Sequence, residues 1–449
     1  MALRTLTTGG APWRVLIAGG SYAGLSAALN LLDLCEGRPP RFNPAFKFED
    51  IPAVFTGKLT RRIPVEITIV DERDGYYHLI GSPLALASKE YAAKAWVNFK
   101  NVPALQDPSI KVTQGSIESV DCEAHKATIS LHASQRKETL QYDYFIAATG
   151  LRRPWPVVPQ SLTRETYLAE TAGNIESCQD SVIVIGGGAV GVETAAELKL
   201  VRPATRVTLV HSRQQLLSAE PLPGEFKDAV APLVREAGVE LVLGQRVAYY
   251  AERNSCPESN LTLHTDDNIP SVCCPGRRGY VKIEPTLHFS GADHHFAIGD
   301  VARWSGIKRC GGAMHMGHHA AHNIYQELVS QRIVPDEAEA HRKPDYLELN
   351  EFPPVIGLAV GRKAISYVAE QGVKQGEEVL QMMFGDDLGW SICWNYMKLG
   401  DKNLVPGDEQ DLGLRELELG GTVEKERLEM INGKGGERVA VSEVVAAVA

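Results

Sequence analysis

The sequence predicts an α/β protein with two Rossmann-like dinucleotide-binding domains and a C-terminal α+β segment. Two apolar runs, within residues 14–35 and 181–200, each lead into a glycine-rich turn and then into a helical pattern. A third apolar run, at residues 296–298, ends in Gly299-Asp300. This order indicates that the second domain is inserted into the first, whose sheet resumes after it.

The first glycine turn has the form G-x-S-x-x-G. Gly19 makes the tight turn, Ser21 is small enough for a ligand to approach, and Gly24 lets the helix pack on the strand. Backbone N–H groups at such a helix start can bind a pyrophosphate. The residues predicted to bind a dinucleotide here are Gly19, Gly20, Ser21, Tyr22, Ala23 and Gly24.

Asp71 ends the next apolar run and is expected to hold ribose hydroxyls. In most such folds this acid lies roughly 20 residues after the glycine turn. Here a segment rich in Pro, Phe and Arg, residues 37–64, intervenes and is interpreted as a surface insertion.

The second glycine turn is complete, with Gly186, Gly188, Val190 and Gly191 as its predicted cofactor-binding residues. After the next strand come His211, Ser212 and Arg213, at the position where an acid would favour NADH. Arg and Ser can hold a 2′-phosphate, so we expect use of NADPH or of both nucleotides. The alternative is that Arg213 only solvates a loop.

Thr149-Gly150 closes the first part of the first domain, and Gly299-Asp300 ends the strand that resumes it. In a chain with two dinucleotide folds, an Asp at that strand end suits the ribityl and pyrophosphate side of FAD. The sequence therefore predicts FAD, bound without a covalent link, and NAD(P)H as cofactors.

The order of these motifs over residues 14–330 resembles the flavoproteins with two dinucleotide-binding domains. The stretch Tyr76-Tyr77-His78 and the pair His211-Ser212 resemble the AMID/apoptosis-inducing-factor-like, ferroptosis-suppressor-like members of the FAD-dependent pyridine nucleotide-disulfide oxidoreductase family, of fungal type. This resemblance implies FAD, NAD(P)H oxidation and a quinone-like acceptor. Members commonly carry a Lys near the flavin after the Ala-Thr-Gly motif, where this chain has Arg152 and Arg153.

Three residues are candidates for catalysis. Glu193 is expected to face the nicotinamide, or else to complement the helix dipole as a first-turn acid. His315 and His318 lie in a helical run after Asp300 and are candidates for lining the acceptor pocket, the alternative being helix packing. Without a Cys or acid partner nearby, these histidines do not predict a metal site.

Composition excludes several classes of function. The formal net charge of −10 disfavours binding to nucleic acid and anionic lipid. The start of the chain has no signal pattern and no run approaches a membrane span, so we expect a soluble cytoplasmic protein. No two cysteines lie a few residues apart beside a flavin motif, which excludes disulfide reduction of the usual kind, and Cys273-Cys274 is interpreted as a surface thiol pair.

Residues 387–399 are predicted to form one helix with two apolar stripes. The stripes comprise Leu388, Ile392, Tyr396 and Leu399, and beside them Trp390, Trp394 and Met397. We expect this segment to close the flavin pocket or to form a homodimer contact. Peripheral membrane contact is the alternative.

The expected domains are an FAD-binding domain at residues 1–155 and 281–340, an NAD(P)-binding domain at 156–280, a C-terminal domain at 341–400 and an acidic tail at 401–449. The expected activity is electron transfer from NAD(P)H through FAD to a quinone-like acceptor. Two alternatives remain at this stage. One is a biosynthetic flavin oxidase or dehydrogenase acting on a phenolic or polyketide-like metabolite, and the other is a redox-sensing protein with negligible turnover.

Overall fold

The computed structural model describes residues 11–38, 41, 62–152, 158–178, 180–249, 264–265, 279–331 and 343–401. Most of the insertion, Arg153, the Cys273-Cys274 pair and the acidic tail lie outside these residues. So does nearly all of the polar loop expected at residues 254–278.

Twenty strands are described, most of them in two parallel sheets and their antiparallel extensions. In chain order they are β1 (Trp13–Ala18), β2 (Val65–Asp71), β3 (Gly75–Tyr77), β4 (Trp96–Asn98), β5 (Ile110–Asp121), β6 (Lys126–Leu131), β7 (Lys137–Gln141), β8 (Tyr144–Ala147), β9 (Ser181–Ile185), β10 (Arg206–His211), β11 (Glu240–Leu243), β12 (Val247–Tyr249), β13 (His264–Thr265), β14 (Val281–Lys282), β15 (His288–Phe289), β16 (Ala292–Ala297), β17 (Ala302–Arg303), β18 (Ile356–Val360), β19 (Lys363–Val368) and β20 (Gly372–Gly376).

Nine α-helices are described. They are α1 (Tyr22–Cys35), α2 (Ser82–Ala85), α3 (Lys89–Ala95), α4 (Arg164–Ser177), α5 (Ala189–Val201), α6 (Gly224–Glu236), α7 (Cys310–Ser330), α8 (Glu377–Met383) and α9 (Trp390–Tyr396).

The largest sheet has eight strands in the order β15-β16-β8-β1-β2-β5-β6-β7. Its central strands are parallel, with Ala18 of β1 opposite both Val70 and Ala147. Strand β16 joins this sheet beside β8, although β9, β10 and β11 lie between them in the chain. The first domain therefore resumes after an insertion, as the sequence predicts.

The inserted unit has a parallel sheet in the order β11-β10-β9. Apolar side chains of α5 and α6 form a second core with it, which also includes Leu358 and Ile365 of the C-terminal sheet. That sheet is antiparallel, in the order β18-β19-β20, and α8 and α9 follow it. The predicted fold class is confirmed, whereas the residue limits of each domain stay a prediction.

Helices α1 and α7 pack unusually closely in the main core. Every residue of α1 is buried, which explains its continuously apolar sequence. A Cβ atom on Gly317 of α7 would lie 2.6 Å from the Ala23 carbonyl oxygen and 3.0 Å from the Ala27 backbone nitrogen. Only a residue without a side chain allows this approach, because the opposing atoms belong to the backbone.

The predicted single helix at residues 387–399 is wrong at both ends. Helix α9 is seven residues long, because Leu388 has a φ of 46°, Gly389 of 79° and Lys398 of 48°. These left-handed conformations interrupt a right-handed helix. Leu388 and Leu399 are nevertheless buried, so the segment is part of the core.

Among the described residues, no helix combines the length and the apolar character needed to cross a membrane.

Because α1 and α7 approach closely at Gly317, replacing this glycine by alanine is expected to lower stability. The same replacement at Gly173, a helical glycine with open space around it, is expected to raise stability. Gly317→Ala should lower stability by about 1–3 kcal/mol, because backbone atoms must shift to admit the methyl group. Gly173→Ala in α4 should raise it by up to about 1 kcal/mol, since nothing lies within 4 Å of its added Cβ. Thermal melts of both variants test this, and a melting temperature raised by Gly317→Ala would contradict the packing described.

Candidate functional site

The first glycine turn joins β1 to α1 at the carboxyl edge of the main sheet. Gly19 has a φ of 109°, and its N–H donates to the Val70 carbonyl at 2.8 Å. The Gly20 N–H donates to Asp71 Oδ2 at 2.6 Å. A Cβ on Gly24 would lie 1.9 Å from the Gly19 oxygen, so the helix start rests directly on the strand end.

The second glycine turn repeats this geometry between β9 and α5. Gly186 has a φ of 115° and donates to the Val210 carbonyl at 2.9 Å, and a Cβ on Gly191 would lie 1.9 Å from the Gly186 oxygen. The Gly187 N–H, however, donates to His211 Nδ1 at 3.0 Å. The imidazole of His211 therefore occupies the place that the Asp71 carboxylate has in the first turn.

His211 must be neutral in this arrangement, because its Nδ1 accepts a hydrogen bond. Its Nε2 then carries the proton and faces the Ser218 hydroxyl at 3.3 Å. Burial, followed by the nearby Arg213, lowers the pKa of His211 and favours this form. Ser212 and Arg213 are exposed just beyond β10, where a nucleotide ribose phosphate could reach them.

The remaining residues predicted for FAD lie at the carboxyl ends of adjacent parallel strands, as ligand sites in such sheets do. Thr149 and Gly150 follow β8; Thr149 is exposed and Gly150 has a φ of 65°. Gly299 and Asp300 follow β16. Ser21 is the residue before α1 and its hydroxyl makes no capping hydrogen bond, whereas Tyr22 and Ala23 are buried in the first turn.

A cavity of about 380 Å³ lies next to Arg73 and Asp74, which follow β2. Its lining residues are Arg73, Asp74, Asn98, Phe99, Lys100, Leu105, Gln106, Val112 and Gln114. The Arg73 N–H donates to Asp71 Oδ1 at 2.8 Å, and the buried Nε of Arg73 has no hydrogen-bond partner among the described residues. The volume of this cavity lies within the range of small-molecule sites.

Arg152 follows Gly150 at the same edge of the sheet. Its guanidinium pairs with Glu72 at 2.7 Å and is largely exposed. Burial raises the pKa of the neighbouring Asp71, against the two backbone hydrogen bonds that lower it.

Gly188 precedes α5, and Val190 and Gly191 lie in its first turn. Glu193 belongs to the second turn, so its interpretation as a first-turn acid is wrong. Its carboxyl is buried and accepts a hydrogen bond from the Ala359 N–H at 3.3 Å, in the C-terminal sheet. Burial raises the pKa of Glu193 to about 8.

Glu197 is a second buried acid that the sequence interpretation missed. It follows Glu193 by four residues and therefore lies on the same face of α5, a spacing that could have identified it. Burial raises the pKa of Glu197 to about 8 as well. Near neutral pH the carboxyl groups of Glu193 and Glu197 are therefore largely protonated, and both are buried on the same face of α5.

We define the aromatic wall as Tyr22, Tyr76, His78, Trp390 and Trp394. The ring centres of Tyr22 and Tyr76 are 5.8 Å apart, those of Tyr76 and Trp394 are 6.2 Å apart, and the two indoles stack at 4.9 Å. Tyr22, Tyr76 and His78 are buried, whereas both indoles are partly exposed. The wall therefore extends from the first glycine turn to α9.

His78 connects the parts of this wall. Its Nε2 faces the Leu388 carbonyl at 3.0 Å and must donate to it, which leaves Nδ1 to accept from the hydroxyls of Tyr22 and Tyr76, each 3.2 Å away. Burial lowers the pKa of His78 to about 4, so the ring is neutral near pH 7. The Asp387 carboxylate pairs with Lys94 at 2.6 Å and fixes the same segment.

Lys308 is a cationic candidate that the motif analysis did not include. It lies two residues before α7, and its Nζ donates to the Ala302 carbonyl at 2.6 Å. Burial lowers the pKa of Lys308, and the attraction of Asp300 opposes that shift. No motif marks this lysine, although its position between Asp300 and α7 could have drawn attention to it.

His315 and His318 both lie on α7, several residues after its start. The His315 ring packs on His319 with ring centres 4.2 Å apart, and His318 is buried. Burial lowers the pKa of each to about 3, so neither carries a charge near pH 7. Their contribution to an acceptor pocket stays a prediction.

Two dinucleotide turns on separate parallel sheets, with the first sheet resuming after the second, define an oxidoreductase of the flavoprotein class. The chain matches the model of the pyridine nucleotide-disulphide oxidoreductase family over residues 13–274, and it belongs to this family. The resemblance found in the sequence is thereby confirmed. The expected cofactors, FAD and NAD(P)H, are those of the family.

Two relatives show how far the likeness extends. The chain is 47% identical to an oxidoreductase named OXR1 from Ajellomyces capsulatus, over 87% of this chain and 88% of that protein. It is 25% identical to ferroptosis suppressor protein 1 of Xenopus tropicalis, over 71% of this chain and 82% of the relative.

Solved structures share the fold at low sequence identity. The sulfide:quinone oxidoreductase of Aquifex aeolicus has a TM-score of 0.55 and 17% identity, covering 93% of this chain and 95% of its own. The water-forming NADH oxidase of Lactobacillus brevis has a TM-score of 0.52 and 17% identity, covering 79% of this chain and 75% of its own.

The raised pKa of Glu197 predicts a pH-dependent effect on stability. The unfolded chain releases this proton near pH 4.5, while the folded chain keeps it up to about pH 8, so folding becomes less favourable as pH rises through that window. Glu197→Gln removes the ionisation and should stabilise the protein near pH 8 by up to a few kcal/mol, at roughly 1.4 kcal/mol per pKa unit.

Thermal melts between pH 5 and pH 8.5 measure this effect, and wild type and Glu197→Gln should converge toward the acidic end. Exposed Glu370 offers the control, since Glu370→Gln should leave the pH profile unchanged. Parallel profiles for wild type and Glu197→Gln would show that the carboxyl ionises normally in the folded protein.

Proposed function

We propose that this protein passes electrons from NAD(P)H through FAD to a quinone-like acceptor. When bound, FAD supplies the chemistry, taking a hydride from the nicotinamide and releasing two electrons to the acceptor. The observation that carries the choice of acceptor is the aromatic wall, which extends from the FAD turn to two partly exposed indoles.

The flavin cofactor is proposed to bind along the carboxyl edge of the main sheet. The backbone at Gly19 and Gly20 and the start of α1 receive the pyrophosphate, with the Ser21 hydroxyl available to it. Asp71 holds the ribose, and the cavity beside Arg73 holds the adenine. Asp300 and the start of α7 complete the flavin end, where a helix N-terminus stabilises negative charge.

The nicotinamide nucleotide is proposed to bind at the second turn. Gly186, Gly188 and Gly191 supply the close backbone approach, and Ser212 and Arg213 receive a ribose phosphate. Glu193 holds the carboxamide and orients the ring. Because its pKa is raised to about 8, it can donate a hydrogen bond to a carbonyl oxygen at neutral pH.

The acceptor is proposed to stack on the exposed part of the aromatic wall. Flat conjugated rings pack favourably on Trp faces, and the buried phenols behind them keep that side dry. The fold shared with a sulfide:quinone oxidoreductase along nearly the whole of both chains supports an acceptor of this class. So does the acceptor class implied by the resemblance in sequence.

Stopped-flow absorbance under anaerobic conditions tests the acceptor. NADPH should bleach the flavin absorption, and soluble quinones should restore it faster than oxygen does. Trp394→Ala should slow reoxidation by quinones roughly tenfold, because the stacking surface is lost, while the rate of flavin reduction is retained.

Trp13→Ala is the matched control, since Trp13 lies at the start of β1, away from the carboxyl edge, and packs on Tyr144. It should change neither half-reaction. Reoxidation of the wild type by quinones at no more than the oxygen rate would rule out a quinone-like acceptor.

The proposed contact of Arg213 with a ribose phosphate leads to a prediction about the preference between NADPH and NADH. Arg213→Ala should raise the KM for NADPH more than that for NADH, by the equivalent of about 1–3 kcal/mol for a charge-assisted contact to phosphate. Steady-state kinetics with both nucleotides measure this, and Arg235→Ala on the exposed end of α6 is the control. Equal changes for the two nucleotides would show that Arg213 does not bind the phosphate.

A further inference from the structure

Two cysteines that are 83 positions apart in the sequence meet in the main core. The Sγ atoms of Cys310 and Cys393 are 3.9 Å apart. Both side chains are buried, with 4% and 1% of their surface exposed. The spacing of cysteines along the chain cannot reveal this pair, because α7 and α9 bring it together only in the folded protein.

The two sulfurs are in contact but not at bonding distance. A disulfide needs an S–S distance of about 2.05 Å, so the sulfurs must approach by roughly 2 Å before the bond can form. Two contacts of the residues just before α9 hold the start of this helix, which carries Cys393. Asp387 pairs with Lys94, and the Leu388 carbonyl accepts from His78.

The two thiols have different surroundings. Cys310 is the first residue of α7, and Arg309 precedes it in the chain. The hydrogen bond to Cys310 and burial raise the pKa of Cys393, which keeps this thiol protonated. Because the thiolate is the attacking form and Cys393 is held as the thiol, we assign the first attack to Cys310, with Cys393 in contact as its partner.

We propose that Cys310 and Cys393 form a two-cysteine redox site that reduces hydrogen peroxide and becomes a disulfide joining α7 to α9. Cys310 attacks one peroxide oxygen, the O–O bond breaks, and the leaving hydroxide takes the thiol proton to give water. Cys393 then attacks the sulfenic sulfur of Cys310, the S–S bond forms, and its proton leaves with the hydroxyl as a second water. The two sulfurs lose two electrons and the peroxide gains them.

Burial restricts the oxidant to a small molecule. Neither sulfur has enough exposed surface for a bulky reagent, and the aromatic wall covers the same region, with Tyr22 and Tyr76 close enough to interact with both sulfurs. Hydrogen peroxide should therefore oxidise the pair at least roughly tenfold faster than cumene hydroperoxide at equal concentration.

The test uses the full-length, cofactor-loaded protein, reduced and then freed of reductant, without added nucleotide. Because no NAD(P)H is present, the outcome is independent of the acceptor proposed for the flavin. Hydrogen peroxide should yield, after alkylation and proteolysis, a linked peptide pair containing Cys310 and Cys393. Dithiothreitol should separate the two peptides again.

Single variants test the order of attack. Cys393→Ala should accumulate sulfenic acid at Cys310 that dimedone traps, whereas Cys310→Ala should leave Cys393 largely unlabelled. Cys35→Ala, at another buried cysteine in α1, should form the linked peptide as the wild type does.

Mapping of the unsubstituted protein decides the outcome if a variant fails to fold. Absence of the linked peptide while other thiols are oxidised would show that the two sulfurs only pack together, and would overturn the proposal. Equal rates with both peroxides would overturn the restriction to a small oxidant.

Discussion

At each glycine turn a strand end and a helix start come so close that no side-chain carbon fits between them. Gly24 rests on the Gly19 carbonyl, and Gly191 rests on the Gly186 carbonyl, with the same spacing. This contact leaves the N–H groups of the helix start without side chains in front of them. It also fixes the neighbouring strand end, where Asp71 or His211 accepts from the turn. The geometry of both glycine turns depends on this backbone contact.

The C-terminal segment completes both halves of the molecule. Its sheet donates the Ala359 N–H to Glu193 in the inserted unit, and its last helix reaches the main core through the Leu388 carbonyl and His78. The C-terminal segment thus makes a hydrogen bond to the helix after the second glycine turn, at Glu193. It makes another to His78, whose ring also contacts Tyr22 in the helix after the first glycine turn. A change in this segment is therefore expected to affect the surroundings of both glycine turns.

The sequence predicts best those parts of the candidate site whose residues are close together in the chain. The glycine turns, Asp71 and the resumed strand before Asp300 are local patterns of spacing, and all of them lie where the patterns predict. Glu197, Lys308 and the Cys310–Cys393 pair depend on which elements pack together, which no local pattern reports. The single helix expected at residues 387–399 is wrong because apolar spacing does not register left-handed backbone at Leu388 and Lys398.

Because His211 stands in the second glycine turn where Asp71 stands in the first, the two turns respond differently to a fall in pH. Below the pKa of the imidazole, Nδ1 gains a proton and two N–H groups face each other at the Gly187 contact. A carboxyl group in the same position keeps an acceptor oxygen even when it is protonated. Acidification therefore breaks the contact between the Gly187 N–H and His211, whereas the contact between the Gly20 N–H and Asp71 does not require an ionised side chain.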